Sequence, residues 1–403
     1  MNIVLNGFQE FVELPVLDGG LEYPHSIHSV KGFLIAFDIC LDPPIVVPYV
    51  NKSLFDFIRR DRIAILVMGL TYGLRGCFDP IGRKLETDLL SMDDFNQNQG
   101  ERQTNASAMP DRVAIMEVGP RDGLQSETKI LPTQQKIDLI SDLVDAGLRE
   151  IQVASFVNPG ILPQMADADL LVAQLPKRQG VVYNGLALNI KGVERVAAAG
   201  LESIEVSMSA SEAHSRRNVN MTLKEAMTQV GHMIRLSKEM GMAIRAGIQC
   251  AFGYLNEAVI PFERIQRIVE GYLDQGIEIL ILGDTTGMAD PVKIHTIMEK
   301  IRPIVGDLKI ALHLHDTRGL GLVNVQTALK YGIRHFDASL AGMGGCPFAP
   351  GATGNIATED LANFLHTCGI QTGIDIEKLS RCSQSMEAFF EKRFSGKMHR
   401  LVL

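Results

Sequence analysis

Short apolar runs alternate with longer amphipathic stretches along the chain from Asp111 onward. Apolar runs bounded by turn residues are typical of buried β-strands, and stretches with apolar positions three and four residues apart are typical of helices. The predicted strands are residues 113–118, 150–154, 181–187, 203–208, 243–249, 277–282, 309–313 and 335–339. The predicted helices include residues 133–146, 223–240, 261–275, 291–301 and 323–331.

This alternation predicts an α/β fold, specifically a (β/α)8 TIM barrel with a C-terminal helical region. Eight strand–helix units over about 250 residues match the size and rhythm of such a barrel. A doubly wound open sheet is the alternative. However, the Gly-x-Gly-x-x-Gly motif that would favour it does not follow the first predicted strand. We therefore assign residues 111–403 to one barrel domain.

Residues 1–110 do not follow this rhythm and form a poorly defined N-terminal extension. They contain apolar segments, such as residues 45–50, but no repeated unit. Residues 91–105 are polar, which is typical of a disordered linker. The extension could be a small accessory domain, a segment with little order, or translated sequence upstream of an internal start at Met109. The sequence assigns no function to it.

The composition narrows the function classes. The chain of 403 residues is 46% hydrophobic and 21% charged, as soluble globular proteins are. Its net charge of −8 gives no basic surface for nucleic acid and argues against binding to anionic membranes. The six cysteines include no Cys-x-x-Cys pair, and the N-terminus lacks the pattern of a signal peptide. We therefore expect a cytoplasmic protein without nucleic-acid or membrane partners.

His313 and His315 are the first candidates for metal binding. Residues two apart on a strand point to the same side, so both imidazoles can reach one cation at the end of the predicted strand 309–313. Such a pair can also simply hydrogen-bond at a strand end. The interpretation as a metal site therefore depends on partners from elsewhere in the chain.

Two further segments supply such partners. Arg121 and Asp122 follow the first predicted strand, and the glycines and proline around them predict a tight turn in which both side chains face one site. An exposed ion pair in a loop is the alternative. Residues 342–355 are rich in glycine and proline, contain Cys346 and end at Asn355, whose amide oxygen can bind a hard cation. This segment is a candidate mobile lid, and a plain flexible loop is its alternative.

Barrel closure would bring these segments together. The C-terminal ends of the strands carry the chemistry of a TIM barrel, and the first, seventh and eighth strands are neighbours in the closed sheet. Asp122 follows the first strand, His313 and His315 end the seventh, and Asn355 lies after the eighth. The predicted fold therefore unites three weak motifs in one site.

These motifs resemble those of hydroxymethylglutaryl-CoA lyases and their relatives among the metal-dependent barrel lyases, over about residues 111–393. The matching motifs are Gly-Pro-Arg-Asp-Gly-Leu-Gln at 119–125, Leu-Gly-Asp-Thr at 282–285, His-Leu-His-Asp-Thr at 313–317, Gly-Gly-Cys-Pro-Phe-Ala at 344–349, Gly-Asn at 354–355 and Ala-Thr-Glu-Asp at 357–360. Condensing synthases of the same fold typically lack the cysteine loop, so the sequence is more similar to the lyases.

The resemblance implies roles for individual residues. The metal ligands would be Asp122, His313, His315 and Asn355. This oxygen and nitrogen set favours Mg²⁺ or Mn²⁺ over a thiolate-rich zinc site. Arg121 would bind the substrate carbonyl oxygen, and Cys346 would take part in proton transfer. The remaining residues to which the resemblance gives a binding or supporting role are Gln125, Glu117, Gln152 and Asp284.

The implied reaction is the retro-Claisen cleavage of 3-hydroxy-3-methylglutaryl-CoA, or a close analogue, to acetyl-CoA and acetoacetate. The general base would be His313 or Asp122. The implied partners are an acyl-CoA substrate and a second copy of the chain in a homodimer. Two alternatives are a Claisen-condensing synthase of the same fold and a barrel that binds metal without catalysis.

Gln152 departs from the family pattern, because these lyases generally have glutamate at this position. Glutamine keeps the size and an acceptor oxygen but loses the charge, so we expect a weaker hold on a metal-bound water. On this view Gln152→Glu would tighten metal binding. The alternative is that Gln152 only hydrogen-bonds a neighbour at the end of the second strand.

Overall fold

The computed structural model describes residues 109–255, 257–345 and 354–402. In these ranges eight parallel strands form a closed barrel in sequence order, and the last strand pairs with the first. The strands are β1 Ala114–Glu117, β2 Glu150–Ser155, β3 Val182–Ala187, β4 Ser203–Ser209, β5 Ala243–Gln249, β6 Ile279–Gly283, β7 Lys309–His313 and β8 His335–Ala338. The predicted TIM barrel is confirmed, and each predicted strand overlaps an observed one.

Helices lie on the outside of the barrel and after its last strand. They are α1 Thr133–Asp145, α2 Ala168–Gln174, α3 Ile190–Ala198, α4 Glu212–Val219, α5 Leu223–Glu239, α6 Phe262–Gln275, α7 Pro291–Val305, α8 Gly321–Leu329, α9 Thr358–Thr367 and α10 Ile376–Phe390. The last two form the predicted C-terminal helical region. None of the helices in the described part of the chain is both long enough and apolar enough to cross a membrane.

Local sequence explains why these elements form where they do. Helix α5 begins with a capping box, in which the Glu225 N–H donates to Thr222 Oγ1 over 3.1 Å and the Thr222 N–H donates to Glu225 Oε2 over 2.8 Å. Along the same helix, Val230, Met233 and Ile234 are buried, which is the spacing of one apolar face. The helix thus has both a defined start and a face to pack on the barrel.

The inside of the barrel contains a buried cluster of charges. Arg245 on β5 donates to Asp337 on β8, and because these strands are not neighbours, the pair crosses the barrel interior. The Arg245 guanidinium also lies 3.8 Å from Glu150 Oε2 and 4.0 Å from Glu205 Oε2. Buried charges are stable only when they are paired in this way. Inside the barrel, between the site and the N-terminal ends of the strands, the inner face of the sheet is therefore polar. The outer face of the strands is apolar.

Two expectations fall on residues outside the described ranges. The N-terminal extension lies there except for its last two residues, and so does Cys346. Their roles stay predictions from the sequence.

Candidate active site

Arg121 and Asp122 lie in a single helical turn, Gly119–Gly123, directly after β1. The Asp122 N–H donates to Val118 O over 2.6 Å and closes the turn. A Cβ atom on Gly119 would stand 2.1 Å from Leu340 Cδ2 and 2.6 Å from Glu117 Oε1, so a larger residue here would have to displace these buried side chains. Both Arg121 and Asp122 are buried and line one cavity. The turn therefore directs both side chains to one site, as the sequence predicts.

His313 and His315 face Asp122 from the end of β7. His313 Nε2 lies 3.3 Å from His315 Nε2 and 3.8 Å from Asp122 Oδ2. Ligand atoms of all three residues lie within 4.8 Å of one another. In an octahedron with bonds of about 2.1 Å, neighbouring ligand atoms are about 3 Å apart, so this spacing suits one divalent ion.

The segment that contains Asn355 is held beside the strand ends by backbone hydrogen bonds. Asp316 N donates to Gly354 O over 2.8 Å, and Ser339 N donates to Ile356 O over 3.0 Å. Asn355 Nδ2 then donates to Asp122 Oδ2 over 2.7 Å and to Met343 O over 3.1 Å. Asn355 thus joins the site, but it presents its amide nitrogen to Asp122.

The electrostatics of these groups fit a cation. Burial alone would raise the pKa of Asp122, but the Arg121 guanidinium and the two histidines outweigh it and lower the pKa to about 2. Burial, assisted by the neighbouring His313, lowers the pKa of His315 to about 3. Near neutral pH the site therefore offers a carboxylate and a neutral imidazole, the forms that bind metal.

The side-chain oxygen of Asn355 also suits a bound cation. Its Oδ1 atom is buried and has no hydrogen-bond partner among the described residues. A buried amide oxygen without a partner is costly. A half-turn of the amide would direct Oδ1 to Asp122, and a cation between the two oxygens would make that orientation favourable. The site is therefore suited to Asn355 as a fourth ligand, a role that stays a prediction.

Sequence reasoning missed Asp337, which supports His313 from behind. Asp337 Oδ2 lies 3.3 Å from His313 Nδ1. Burial lowers the pKa of His313, but this contact and the charge of Asp122 outweigh burial and raise it above the usual value. A carboxylate on Nδ1 leaves Nε2 free to face the site. The one signal in the sequence is the alternation His335, Phe336, Asp337, which places Asp337 on the same face of β8 as His335.

Gln152 contacts Arg121 and two other polar side chains. Its Oε1 accepts a hydrogen bond from Arg121 Nε, and its Nε2 donates to Asn184 Oδ1 and to Glu205 Oε2, both over 2.8 Å. Arg121 also donates to Asp122 Oδ1. Gln152 therefore binds the Arg121 guanidinium through its side-chain oxygen. This favours the alternative in which Gln152 only hydrogen-bonds its neighbours.

The remaining predicted residues surround the site without joining the cluster of ligand atoms. Gln125 Nε2 donates to Asp122 Oδ1 over 2.8 Å. Glu117 accepts from Gly119 N, Leu340 N and Thr358 Oγ1, and burial raises its pKa to about 8. Asp284 N donates to His313 O over 2.8 Å, and burial raises the pKa of its carboxyl to about 7. Glu117 and Asp284 thus hold the backbone that carries the site.

The site opens into a cavity of about 1130 Å³ at the C-terminal ends of the strands. Arg121, Asp122, His313 and His315 form part of its wall. The rest of its lining includes Asn158, Asn189, Arg217 and Asn220 and the apolar residues Ile161, Leu162, Leu188 and Met221. A cavity of this size can accept a ligand much larger than a short organic acid.

The sequence matches the family model described as HMGL-like over residues 112–386. It is 39% identical over 278 residues to a hydroxymethylglutaryl-CoA lyase of Bacillus subtilis, covering 69% of this chain and 93% of the relative. A cytoplasmic 3-hydroxy-3-methylglutaryl-CoA lyase of Rattus norvegicus is 38% identical over 273 residues, covering 68% and 80%. A solved structure of an HMG-CoA lyase from Acinetobacter baumannii, in complex with coenzyme A and 3-methylmalate, aligns with a TM-score of 0.69 and 36% identity, covering 73% of this chain and 96% of that one.

Proposed function

This chain belongs to the HMGL-like family and is a carbon–carbon lyase of the hydroxymethylglutaryl-CoA lyase type, and we propose that it cleaves 3-hydroxy-3-methylglutaryl-CoA, or a close analogue, to acetyl-CoA and acetoacetate. The observation that carries this proposal is the meeting of Asp122, His313 and His315 within 4.8 Å, beside Arg121, in the cavity wall. The relative solved with coenzyme A supports an acyl-CoA as the substrate class.

We propose Asp122, His313, His315 and Asn355 as the ligands of Mg²⁺ or Mn²⁺. The set contains oxygen and nitrogen donors and no thiolate, which suits these ions. A divalent ion bound there would act as a Lewis acid and lower the pKa of an alcohol oxygen. Gln125, through its bond to Asp122, would hold that carboxylate in place.

The proposed reaction starts from the C3 hydroxyl of the substrate. A base removes its proton, the C3–O⁻ becomes a ketone as the C2–C3 bond breaks, and the electron pair moves onto the thioester as an enolate. Arg121 would stabilise the enolate oxygen, an effect worth about 3 kcal/mol for one such donor. A general acid then protonates the enolate carbon to give acetyl-CoA. We propose Cys346 as this acid on the strength of its motif.

The base is His313 or Asp122. Both oxygens of Asp122 already accept hydrogen bonds, Oδ1 from Arg121 and Gln125 and Oδ2 from Asn355. His313 directs Nε2 to the site, but a ligand role would use this same nitrogen. The variant His313→Asn separates the ligand role of His313 from its role as the base. If His313 is a ligand, the variant binds the metal more weakly. If His313 is only the base, kcat falls and metal binding is unchanged.

Incubation of the full chain with HMG-CoA and Mg²⁺ tests the proposal directly. We expect acetoacetate and acetyl-CoA to form in equal amounts and the reaction to stop when a chelator is added. Citramalyl-CoA, which presents a different acyl group, serves as the comparison substrate. Absence of acetoacetate with metal-loaded protein would contradict the proposal. Release of free CoA from acetyl-CoA in the presence of a 2-oxo acid, without cleavage of HMG-CoA, would instead favour a condensing enzyme.

The compartment and the oligomeric state stay predictions. The scattered cysteines favour the cytoplasm, and the homodimer follows from the resemblance alone. Cell fractionation tests the first, and analytical ultracentrifugation of the purified chain tests the second.

A further inference from the structure

Three buried side chains connect the barrel interior to Arg121. Glu205 on β4, Asn184 on β3 and Gln152 on β2 all lie on the inner face of the barrel, and Gln152 joins the other two to the guanidinium. Gln152 and Asn184 have no exposed surface, and Glu205 is 8% exposed. Of these three side chains, Glu205 also lines the cavity.

Glu205 determines which end of the Gln152 amide faces Arg121. A side-chain amide can be turned by half a revolution with little change in shape, so its neighbours must select one orientation. Burial raises the pKa of Glu205, and the cations Arg121 and Arg245 oppose that rise. In its ionised form the carboxylate accepts hydrogen bonds and cannot donate them. With Glu205 Oε2 placed 2.8 Å from Gln152 Nε2, the amide nitrogen is directed to Glu205 and the oxygen to Arg121.

Asn184 reinforces the same orientation. Its Nδ2 donates to Ser203 Oγ over 2.9 Å, so its Oδ1 is the atom that remains for the second N–H of Gln152. Both hydrogens on Gln152 Nε2 are then used, and its Oε1 is directed at Arg121 Nε. The guanidinium is held at Nε by Gln152 and at Nη1 by Asp122, which fixes its plane.

We propose that Glu205 is a positioning residue of the lyase, which acts through Gln152 to hold the Arg121 guanidinium in its reactive orientation. This inference rests on the proposed function, in which Arg121 stabilises the enolate oxygen. It also changes the expectation for Gln152→Glu. The new carboxylate would stand beside Glu205 at hydrogen-bond distance, so this variant is destabilised and less active.

The first test compares Glu205→Gln with Glu150→Gln. Both variants remove a carboxylate close to Arg245, but only Glu205 contacts Gln152. We expect Glu205→Gln to lower kcat roughly 10- to 100-fold, as the loss of a supporting partner does. The KM and the Mg²⁺ affinity should stay within about threefold, since Glu205 donates or accepts no hydrogen bond with a proposed metal ligand among the described residues. Glu150→Gln should keep the parent kcat.

The second test moves the charge from position 205 to position 152. In Gln152→Glu combined with Glu205→Gln, the new carboxylate accepts directly from Arg121, and the new amide donates to that carboxylate. The Asn184 amide turns by half a revolution, so that its Nδ2 donates to the carboxylate and its Oδ1 accepts from the Ser203 hydroxyl. We expect the double variant to exceed both single variants in kcat and in melting temperature, which is a non-additive result. Because it keeps the number of charges, it also provides a folded protein if a single variant does not fold.

A third measurement does not depend on turnover. The Nε–H resonance of Arg121, identified by its absence in Arg121→Lys, should exchange slowly with solvent in the parent and in Glu150→Gln. We expect at least about tenfold faster exchange in Glu205→Gln and recovery in the double variant. If the parent does not cleave HMG-CoA, the proposed function fails while this measurement still decides the positioning role. Unchanged exchange and a kcat within about twofold of the parent in Glu205→Gln would overturn the inference.

Discussion

At the scale of single residues, the site is built from pairs in which one side chain fixes the other. Asp337 directs His313, Gln125 and Arg121 hold Asp122, and Gln152 holds Arg121. These contacts limit each functional side chain to one rotamer. The side chains therefore lose their conformational entropy when the protein folds, not when the substrate binds. The geometry of the reacting groups is therefore set before the substrate arrives.

Arg121→Met is the most direct test at this scale. We expect kcat to fall by about 10²–10³, because the guanidinium acts on charge that develops during the reaction. Mg²⁺ should still bind, since Arg121 is not a proposed ligand and Gln125 still holds Asp122. Arg121→Lys should not restore the rate, because an ammonium cannot reproduce the planar donors that contact Gln152 and Asp122 together. Steady-state kinetics and metal titration measure both quantities, and full activity in the Met variant would refute the role.

Residue chemistry explains which of these residues the sequence could reveal. His313 and His315 stand two apart at a strand end, and Arg121 and Asp122 stand between glycines, so each pair has a local pattern. Asp337 and Glu205 are the single acids of β8 and β4, and their partners lie on other strands of the barrel. Their function depends on pairing across the interior, and the alternation within a strand shows only the face on which each acid lies, not its partner.

At the scale of elements, the position of Asn355 depends on the close approach of two loop segments. Gly344 has φ +125°, and a Cβ atom there would lie 2.6 Å from Asn355 Nδ2. The backbone around residues 342–345 therefore packs directly on the amide that faces Asp122. The sequence showed the glycines, but it could not show which of them allows a contact and which only allows a turn.

Gly344→Ala tests this packing. We expect the methyl group to displace Asn355 from Asp122 and to weaken Mg²⁺ binding by about tenfold. The matched control is Gly369→Ala, since Gly369 also has a positive φ, +77°, but nothing within 4 Å of its Cβ position. The control should lose about 1–2 kcal/mol of stability through backbone strain and keep its metal affinity. Equal metal affinity in the two variants, measured by calorimetry, would show that the contact does not position Asn355.

At the scale of the whole molecule, closure of the barrel depends on strands that all lie between residues 114 and 338. Strand β1 pairs with β2 on one side and with β8 on the other, with Ala114 opposite His335 and Glu117 opposite Ala338. The alternation of apolar runs predicted this closed order, because eight repeated units leave few other arrangements. The extension had no such pattern, so its role could not be derived in the same way.

Removal of residues 1–108 tests whether the barrel is self-sufficient. We expect the remaining chain to fold, to bind Mg²⁺ and to unfold in one cooperative transition, because the eight strands and their covering helices are all retained. Circular dichroism and metal titration of the truncated and full chains provide the comparison. Insoluble or metal-free truncated protein would show that the barrel requires the extension.

The meeting of Asp122, His313 and Asn355 at one point also links metal binding to global unfolding. These residues belong to the two ends of the barrel sequence, so the cluster exists only while β1 stays paired with β8 and β8 with β7. An ion that binds the folded chain alone adds about 2.7 kcal/mol to its stability at a concentration of 100 times Kd. That free energy must be lost when the ring opens at the seam between its first and last strands. Metal would thus slow the opening of the whole barrel, and the melting temperature would report on the occupancy of the site even in a variant that cannot turn over substrate.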